Sequence, residues 1–334
     1  MFYLVPSIGW PKRSYGSSFK SKLFRFKLAA TKDHDNGGND DEEEEAKKRG
    51  NARICSRHVL SEMPEYLRFN PWIRTGYRSW NLSTIECLQS IATVHNETIN
   101  IATHGLAMLY VMLNYGDLFR DVMKLPTYLS YCHMISCLSP WIGSFIYHVF
   151  MNHRSGLIVY ERLLQGDMAG IWITQTFGAL TTLNASFIVY GTMVRQSITA
   201  FYLCLSLWAL YKALSGRSAW QRALSFTLLV TVRIIAFIVR LSTADYHLDR
   251  NHLLHVTMQE LLPILGAFLS ATRIPERFCP DGWLDLAFNS HNIMHCMVVL
   301  GAVHMHFAFL VDIEIVCRVT FNNDNLSHGS SSYL

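Results

Sequence analysis

Charged side chains are scarce in this chain of 334 residues. Asp, Glu, Lys and Arg make up 16% of it, whereas about 25% is usual in a soluble domain. Half of the residues are hydrophobic, and the formal net charge is only +4. This composition argues against a soluble α/β enzyme and a disordered regulator. It also argues against a nucleic-acid-binding protein, so we expect no nucleic acid among the partners.

The motifs of common catalytic and cysteine-based sites are also missing. None of the eight cysteines forms a C-x-x-C pair, so we expect buried apolar cysteines rather than a disulfide framework or a zinc knuckle. The chain has no P-loop, no H-E-x-x-H and no G-x-S-x-G. His95-Asn96-Glu97 matches the H-x-E of zinc deaminases, but no P-C-x-x-C follows it. Any chemistry must therefore come from residues that only the fold brings together.

Hydropathy divides the chain into a polar N-terminal part and an apolar remainder. The six consecutive acids of Asp40–Glu45 repel one another and are typical of a linker. We predict four segments: a disordered cytoplasmic tail (1–60), a juxtamembrane segment (61–96), a transmembrane domain (97–312) and a short C-terminal tail (313–334).

Seven apolar stretches follow one another in the predicted transmembrane domain. They cover residues 97–115, 127–150, 168–192, 198–215, 222–241, 252–271 and 289–312. Each reaches or nearly reaches the ~20 residues that a helix needs to cross the bilayer core. Backbone groups in lipid must be hydrogen-bonded within the segment, which favours helices. The sequence thus predicts an all-α membrane protein, a seven-transmembrane helix bundle.

The orientation of this bundle depends on the arginines that precede it. Lys and Arg are almost evenly divided between the two sets of short loops. Arg68, Arg74 and Arg78 lie closest to the first stretch and favour a cytoplasmic N-terminus, which with seven crossings puts the C-terminus outside or in a lumen.

Several polar side chains lie within or beside the predicted spans, where burying them in the membrane costs free energy. Most of them lie at one end of the bundle. Because spans alternate in direction, the end of span 2 (Ser144, His148), the residue before span 3 (Asp167) and the start of span 7 (His291, His295) lie on one side. Both i,i+4 pairs occupy one helical face. Three imidazoles at one depth can form a zinc site with an open fourth position. A neighbouring carboxylate such as Asp167 could hold a metal-bound water or orient one of the histidines. The alternative is that these histidines only pack.

The other polar residues receive structural or no roles. Arg233 and Glu260 fall near the middle of spans 5 and 6, and we predict that they pair across the helices. We assign no role to His153, His304 and His306.

Five ordered blocks resemble the progestin and adipoQ receptor family, which is related to haemolysin III-type proteins. They are Glu65–Arg78 (EYLRFNPWIRTGYR), Ser90–His104 (SIATVHNETINIATH), Ser144–His153 (SFIYHVFMNH), Asp167–Ile171 (DMAGI) and Asn289–His295 (NSHNIMH). The resemblance implies seven transmembrane helices with a cytoplasmic N-terminus. It also implies zinc bound by His148, His291 and His295, with Asp167 and Ser144 beside the metal.

Two positions depart from the family pattern without removing a ligand. The family's usual Leu-Asp-Tyr reads Gly-Asp-Met at residues 166–168, and Ala102 replaces a common Trp. Within the first span we interpret Glu97 and Asn100 as packing and helix-entry residues rather than catalytic groups.

Three functions fit these features. The first is a zinc-dependent hydrolase of a ceramide-like lipid amide, with Asp167 and Ser144 as catalytic residues. The second is a signalling receptor in which the zinc is structural. The third is a membrane scaffold that binds proteins. The expected partners are membrane lipids and a lipid amide substrate or ligand, and the resemblance implies a Golgi or plasma membrane location.

Overall fold

The computed structural model describes residues 57–124, 127–216, 218–243, 249–279 and 281–329. The predicted tail, 1–60, lies outside the described residues except for its last four. In those four, Arg57–His58 (β1) pairs antiparallel with Tyr77–Arg78 (β2). These four residues, 57–60, fall in the predicted tail, and β1 joins them to the predicted juxtamembrane segment.

Hydrogen bonds join the juxtamembrane segment to a distant part of the chain. Asp285 Oδ2 accepts from the backbone N–H of Thr75 at 2.8 Å and from its hydroxyl at 2.7 Å. Glu276 accepts from Asn70 Nδ2 at 3.0 Å and from the backbone N–H of Ser290 at 2.7 Å. Buried polar groups require such partners. The segment therefore packs on the end of the bundle where the last helix begins.

Helices dominate the described chain. They are α1 (Thr84–Gln89), α2 (Thr98–Leu113), α3 (Tyr115–Leu118), α4 (Arg120–Lys124), α5 (Tyr128–Phe150), α6 (Leu157–Phe177), α7 (Leu180–Ser186), α8 (Thr192–Ser215), α9 (Ala219–Leu224), α10 (Thr227–Ser242), α11 (Arg250–Thr272) and α12 (Ser290–Gly329). Short 3₁₀ turns cover Leu60–Glu62, Glu65–Leu67, Ser90–Ala92 and Glu276–Phe278. A capping box starts α1, because the Ser83 hydroxyl accepts from Glu86 N–H and the Glu86 carboxylate accepts from Ser83 N–H.

Each predicted span overlaps a helix, but three of these helices differ from the predicted spans by more than five residues at one or both ends. Helix α6 begins at Leu157 instead of residue 168 and ends at Phe177, with α7 following it. Helix α8 begins at Thr192 instead of 198. Helix α12 continues to Gly329, through most of the predicted C-terminal tail. Hydropathy missed the first turns of α6 because Glu161 and Arg162 make them polar. Asp167 consequently lies inside α6 and not before it.

Four helical stretches are long and apolar enough to cross a membrane within the described chain. They are Thr192–Ser215, Trp220–Ser242, Arg250–Phe278 and Ser290–Val319. Helix α2 is apolar but has 16 residues. Helices α5 and α6 are long enough, with 23 and 21 residues, but they are too polar to qualify. These features support an integral membrane protein, and the count of seven spans stays a prediction.

The spanning helices turn apolar side chains outward. Leu207 on α8, Ile238 on α10 and Leu300 on α12 are all more than half exposed. The interior holds many polar groups instead, including Ser144 and His148 on α5. Large exposed apolar surfaces of this kind are typical of contact with lipid. The inward polar residues also explain why α5 has low hydropathy.

Helices α5 and α6 approach closely through glycines. A Cβ added at Gly143 would lie 3.0 Å from the carbonyl oxygen of Gly166 and 3.1 Å from the Cα of Asp167. A Cβ at Gly170 would lie 2.5 Å from the carbonyl oxygen of Ser139. Small residues allow such backbone contacts between membrane helices. The contact brings the Ser144 region of α5 beside Asp167.

The predicted pair of Arg233 and Glu260 is confirmed. Arg233 donates from Nε to Glu260 Oε1 at 2.8 Å and from Nη2 to Glu260 Oε2 at 2.7 Å. Its Nη1 donates to the Tyr202 hydroxyl at 3.1 Å. A second pair, which the sequence did not predict, joins α10 to α12 through Arg240 and Asp312 at 2.6 Å. Two guanidinium–carboxylate pairs therefore join the C-terminal helices internally.

We expect Glu260→Gln to destabilise the protein by about 3–5 kcal/mol, because it leaves the buried Arg233 charge without its partner. The double variant Arg233→Met/Glu260→Gln should be less destabilised than the single variant. The measurement is unfolding of the purified protein in detergent. Glu314→Gln is the control, because it removes an exposed pair with Arg318 that is worth at most about 1 kcal/mol. Equal losses in Glu260→Gln and the control would contradict the prediction.

Candidate metal centre

Three histidines converge where α5 ends and α12 begins. His148 lies in the last turn of α5, and His291 and His295 lie one turn apart at the start of α12. One ligand nitrogen from each falls within 4.8 Å of the others. The Nε2 atoms of His148 and His291 are 3.4 Å apart. The structure thus brings together the predicted metal ligands, and these three side chains could hold a metal ion.

The outer nitrogen of each imidazole has a partner. His148 Nδ1 lies 2.7 Å from Glu97 Oε2, His291 Nδ1 lies 3.3 Å from Ser270 Oγ, and His295 Nδ1 lies 3.2 Å from Thr103 Oγ1. The three partners are therefore one carboxylate and two hydroxyls. Metal-binding histidines usually have such a partner on the second ring nitrogen, which fixes the tautomer and the ring orientation.

The Thr103 hydroxyl shows which nitrogen of His295 is free for a metal. This hydroxyl donates to the backbone carbonyl of Ile99 at 2.8 Å, so its oxygen is available to accept from His295 Nδ1–H. A proton on Nδ1 leaves the lone pair on Nε2. The carboxylate of Glu97 imposes the same tautomer on His148. The donor set therefore fits a metal bound through ring nitrogens.

Glu97 has a larger role than the sequence indicated. It is 3% exposed, and besides His148 it accepts from Asn96 Nδ2 at 3.0 Å and from Asn100 Nδ2 at 2.8 Å. Asn100 Oδ1 in turn accepts from Asn292 Nδ2 at 2.7 Å. A buried carboxylate needs a cation or several donors, and that requirement was the signal available in the sequence. Glu97 is a positioning residue for His148.

Arg78 extends this network into the juxtamembrane segment. It is fully buried and donates to the backbone carbonyl of His148 and, at 2.8 Å, to the Ser90 hydroxyl. The neighbouring His95 accepts from the backbone N–H of Glu97 at 3.1 Å. Burial and the Arg78 charge lower the pKa of His95 to about 4, so this imidazole is neutral at pH 7. The juxtamembrane segment therefore orients residues beside the metal centre.

His104 contacts the centre without pointing a ligand atom into the cluster. Its ring stacks on His295 at 4.0 Å between centroids. Among the described residues, neither ring nitrogen of this buried side chain has a hydrogen-bond partner. His153 lies in the turn after α5, 3.3 Å from the Thr84 hydroxyl. His148, His291 and His295 are thus the histidines that form the cluster at this end of the bundle.

Ser144 lies on the same helix as His148, and Asp167 lies on the neighbouring helix α6. Ser144 lies one turn before His148, is 3% exposed, and its hydroxyl has no hydrogen-bond partner among the described residues. Asp167 lies on α6 within electrostatic range of His148. A buried hydroxyl without a partner costs about 1–3 kcal/mol, which a bound ligand would recover. Both groups are therefore polar residues in the neighbourhood of His148.

Cysteines take no part in this centre. The seven within the described residues are free thiols, so no disulfide framework forms there. The expectation that they are buried is wrong for Cys204, Cys279 and Cys296, which are exposed. Cys204 lies on a spanning helix, where an apolar thiol can face lipid as readily as protein.

Comparison with known proteins gives the family. The model of the family described as haemolysin-III related matches residues 92–307, well over half of the chain. The chain belongs to this family. Its progestin and adipoQ receptor branch is also shown, since "Progestin and adipoQ receptor family member 4" of Homo sapiens is 33% identical over 75% of this chain and 90% of the relative. The segments His95–Ala107 and Arg273–Phe278 likewise indicate member four.

More distant relatives match a similar share of the chain. "Heptahelical transmembrane protein 1" of Arabidopsis thaliana is 26% identical over 76% of this chain and 80% of its own length. "Adiponectin receptor protein" of Drosophila melanogaster is 26% identical over 73% of this chain and 57% of its own length. The range matched by the family, 92–307, includes His148, His291 and His295.

We expect Glu97→Gln to weaken zinc binding about 10–100-fold, as is usual when the partner of a metal-binding histidine is lost. Glutamine keeps the size of the side chain but removes the charge that holds the His148 tautomer. The measurement is competition for zinc with a chromophoric chelator. Glu161→Gln, an exposed carboxylate on α6, is the control. Unchanged zinc affinity in Glu97→Gln would show that Glu97 does not position His148.

Proposed function

We propose that this chain is a seven-helix zinc-binding membrane receptor that also hydrolyses a lipid amide of the ceramide class. The main support is that three imidazoles converge while the outer nitrogen of each has a hydrogen-bond partner. Three protein ligands with an open position are typical of catalytic zinc, whereas structural zinc usually has four. The name of the Arabidopsis relative, "Heptahelical transmembrane protein 1", supports the seven-helix count.

Zinc is the metal that this donor set and the family resemblance favour. Neutral imidazoles bind several divalent metals, zinc among them. His148, His291 and His295 would hold it. When bound, zinc would polarise an amide carbonyl and lower the pKa of water towards ~7.

The remaining steps belong to Asp167 and Ser144. The Asp167 carboxylate would take a proton from the attacking water and hold it for the leaving amine. The Ser144 hydroxyl has its hydrogen-bonding capacity free, and it would donate to the oxygen that gains negative charge. Ser144 lies one turn before His148 on α5, and Asp167 on α6 interacts electrostatically with His148.

A lipid substrate agrees with the surroundings of the centre. Its residues lie at one end of a bundle whose outer surface is apolar, so the acyl chains of a lipid amide would remain among apolar helices while the amide reaches the polar residues near His148. Membrane lipids are therefore the expected partners. A Golgi or plasma membrane location is part of this proposal.

A receptor with structural zinc is the second candidate, and the names of the relatives favour it. "Adiponectin receptor protein" and "Progestin and adipoQ receptor family member 4" are named as receptors. In this alternative the metal stabilises the helix packing, and Asp167 has no chemical task.

The deciding experiment measures zinc content and amide hydrolysis on one preparation. Purified protein in lipid nanodiscs is tested for release of a sphingoid base from ceramide, as isolated, after chelation and after zinc is restored. We expect release that chelation abolishes and zinc restores. Zinc-loaded protein that releases no more sphingoid base than empty nanodiscs would overturn the hydrolase and leave the receptor.

We also place the N-terminus on the cytoplasmic side. The asparagine of the sequon Asn81-Leu82-Ser83 precedes the first predicted span and is exposed. On the cytoplasmic side it should carry no glycan, because glycans are added in the lumen. Mass analysis after expression in a eukaryotic membrane tests this expectation, and a glycan on Asn81 would reverse the orientation.

A further inference from the structure

A second cluster of metal-type ligands lies on the same two long helices. His133 and Cys137 are in the first half of α5, and His306 is in α12. Their ligand atoms all lie within 4.8 Å of one another. Eleven residues of α5 separate Cys137 from His148, which corresponds to about 16 Å along a helix axis. The cluster is therefore distinct from the three-histidine centre.

The distances between its ligand atoms suit one shared cation. His133 Nε2 lies 3.0 Å from His306 Nδ1 and 3.4 Å from Cys137 Sγ. A metal about 2.0 Å from two nitrogens and about 2.3 Å from a sulfur separates the nitrogens by about 3.3 Å and nitrogen from sulfur by about 3.5 Å, at tetrahedral angles. The observed separations are shorter by at most about 0.3 Å. Small side-chain movements would admit the ion.

Aromatic rings and one backbone contact hold the two imidazoles. The His133 ring stacks on Phe309 with centroids 3.9 Å apart and planes 5° apart. The His306 ring meets Phe119 edge-on at 5.5 Å and hydrogen bonds to the backbone of Leu118. These contacts restrict both rings before any ion arrives, as the outer partners of metal-binding histidines do.

We propose that His133, Cys137 and His306 form a second metal site, which binds Cu(I). A thiolate and two imidazoles are soft donors that favour Cu(I) and Zn²⁺ over hard cations. Charge selects between these two. One thiolate, two neutral imidazoles and Cu(I) sum to zero, whereas Zn²⁺ leaves a net positive charge that is costly to bury. The Cys137 thiol would lose its proton to solvent as the Cu–S bond forms.

The test isolates this cluster by disabling the first centre. Purified His291→Ala protein is titrated anaerobically with Cu(I) against a chromophoric Cu(I) chelator. We expect one Cu(I) per chain and a sulfur-to-copper absorption band. Adding Cys137→Ser should weaken binding at least about 100-fold, more than loss of an outer partner alone. Cys132→Ser, a partly buried thiol on the same helix, is the matched control and should bind like the parent.

Folding and metal identity are checked in the same series. Gel filtration shows whether each variant is folded, and His306→Phe tests the site independently because phenylalanine keeps a ring against Phe119. A parent that binds no Cu(I), or a folded Cys137→Ser that binds as tightly as its parent, would show that the cluster is only hydrogen-bonded packing. Cys137-dependent binding of zinc in preference to Cu(I) would overturn the charge argument and the assignment.

Discussion

Replacing His291 with alanine is expected to remove most of the zinc from the purified protein. Two imidazoles remain, and they cannot hold the ion well against water and a competing chelator. Loss of an outer partner already costs about 10–100-fold in affinity, so loss of a ligand should cost more. His148→Ala and His295→Ala should behave alike, because the three ring nitrogens form one cluster. Metal analysis after gel filtration measures the effect.

His153→Ala is the matched control for this prediction. It removes an imidazole from the turn after α5, 3.3 Å from the Thr84 hydroxyl, and should leave zinc unchanged, as should His304→Ala. Zinc should also raise the unfolding temperature of the wild type but not that of His291→Ala, because a ligand that binds only the folded state stabilises it by about 2.7 kcal/mol at 100 times its dissociation constant. Equal zinc in His291→Ala and wild type would refute the ligand assignment.

Asp167→Asn is expected to keep the zinc and lose lipid amide hydrolysis by about 10²–10⁴-fold, the usual contribution of general acid–base assistance. Asparagine preserves the size of the side chain and some hydrogen bonding, but it cannot take the proton. His148→Ala should lose both zinc and activity. Ser144→Ala should keep zinc and lose less activity than Asp167→Asn, because its hydroxyl would only stabilise developing charge. Sphingoid-base release and zinc content are measured on each preparation.

The same variant separates the two candidate functions. A receptor with structural zinc predicts that Asp167→Asn signals normally wherever folding and zinc survive. A hydrolase whose product carries the signal predicts that turnover and signal fall together. Glu161→Gln, an exposed carboxylate on the same helix, controls for the loss of a charge on α6. Full turnover in Asp167→Asn would remove Asp167 from the mechanism.

Hydropathy and the alternation of spans were enough to place the three histidines at one end of the bundle. Helix periodicity put His291 and His295 on one face, and counting crossings put His148 beside them. The same reasoning paired Arg233 with Glu260, because a charge in an apolar helix must find a partner. These conclusions depend on local composition and on direction along the chain, both of which a sequence contains.

Only the tertiary structure decided which groups surround those histidines. The three ring nitrogens contact Glu97, Ser270 and Thr103. These contacts depend on the rotation and depth of each helix, and a hydropathy pattern contains neither. Asp167 lies inside α6 and not before it for a related reason. The first turns of that helix are polar, so a search for apolar stretches does not detect them. His133 and His306 are 173 positions apart in the chain, and their meeting depends on how α5 packs against α12. Composition determined that this protein enters a membrane, and packing geometry determined which of its polar groups meet there.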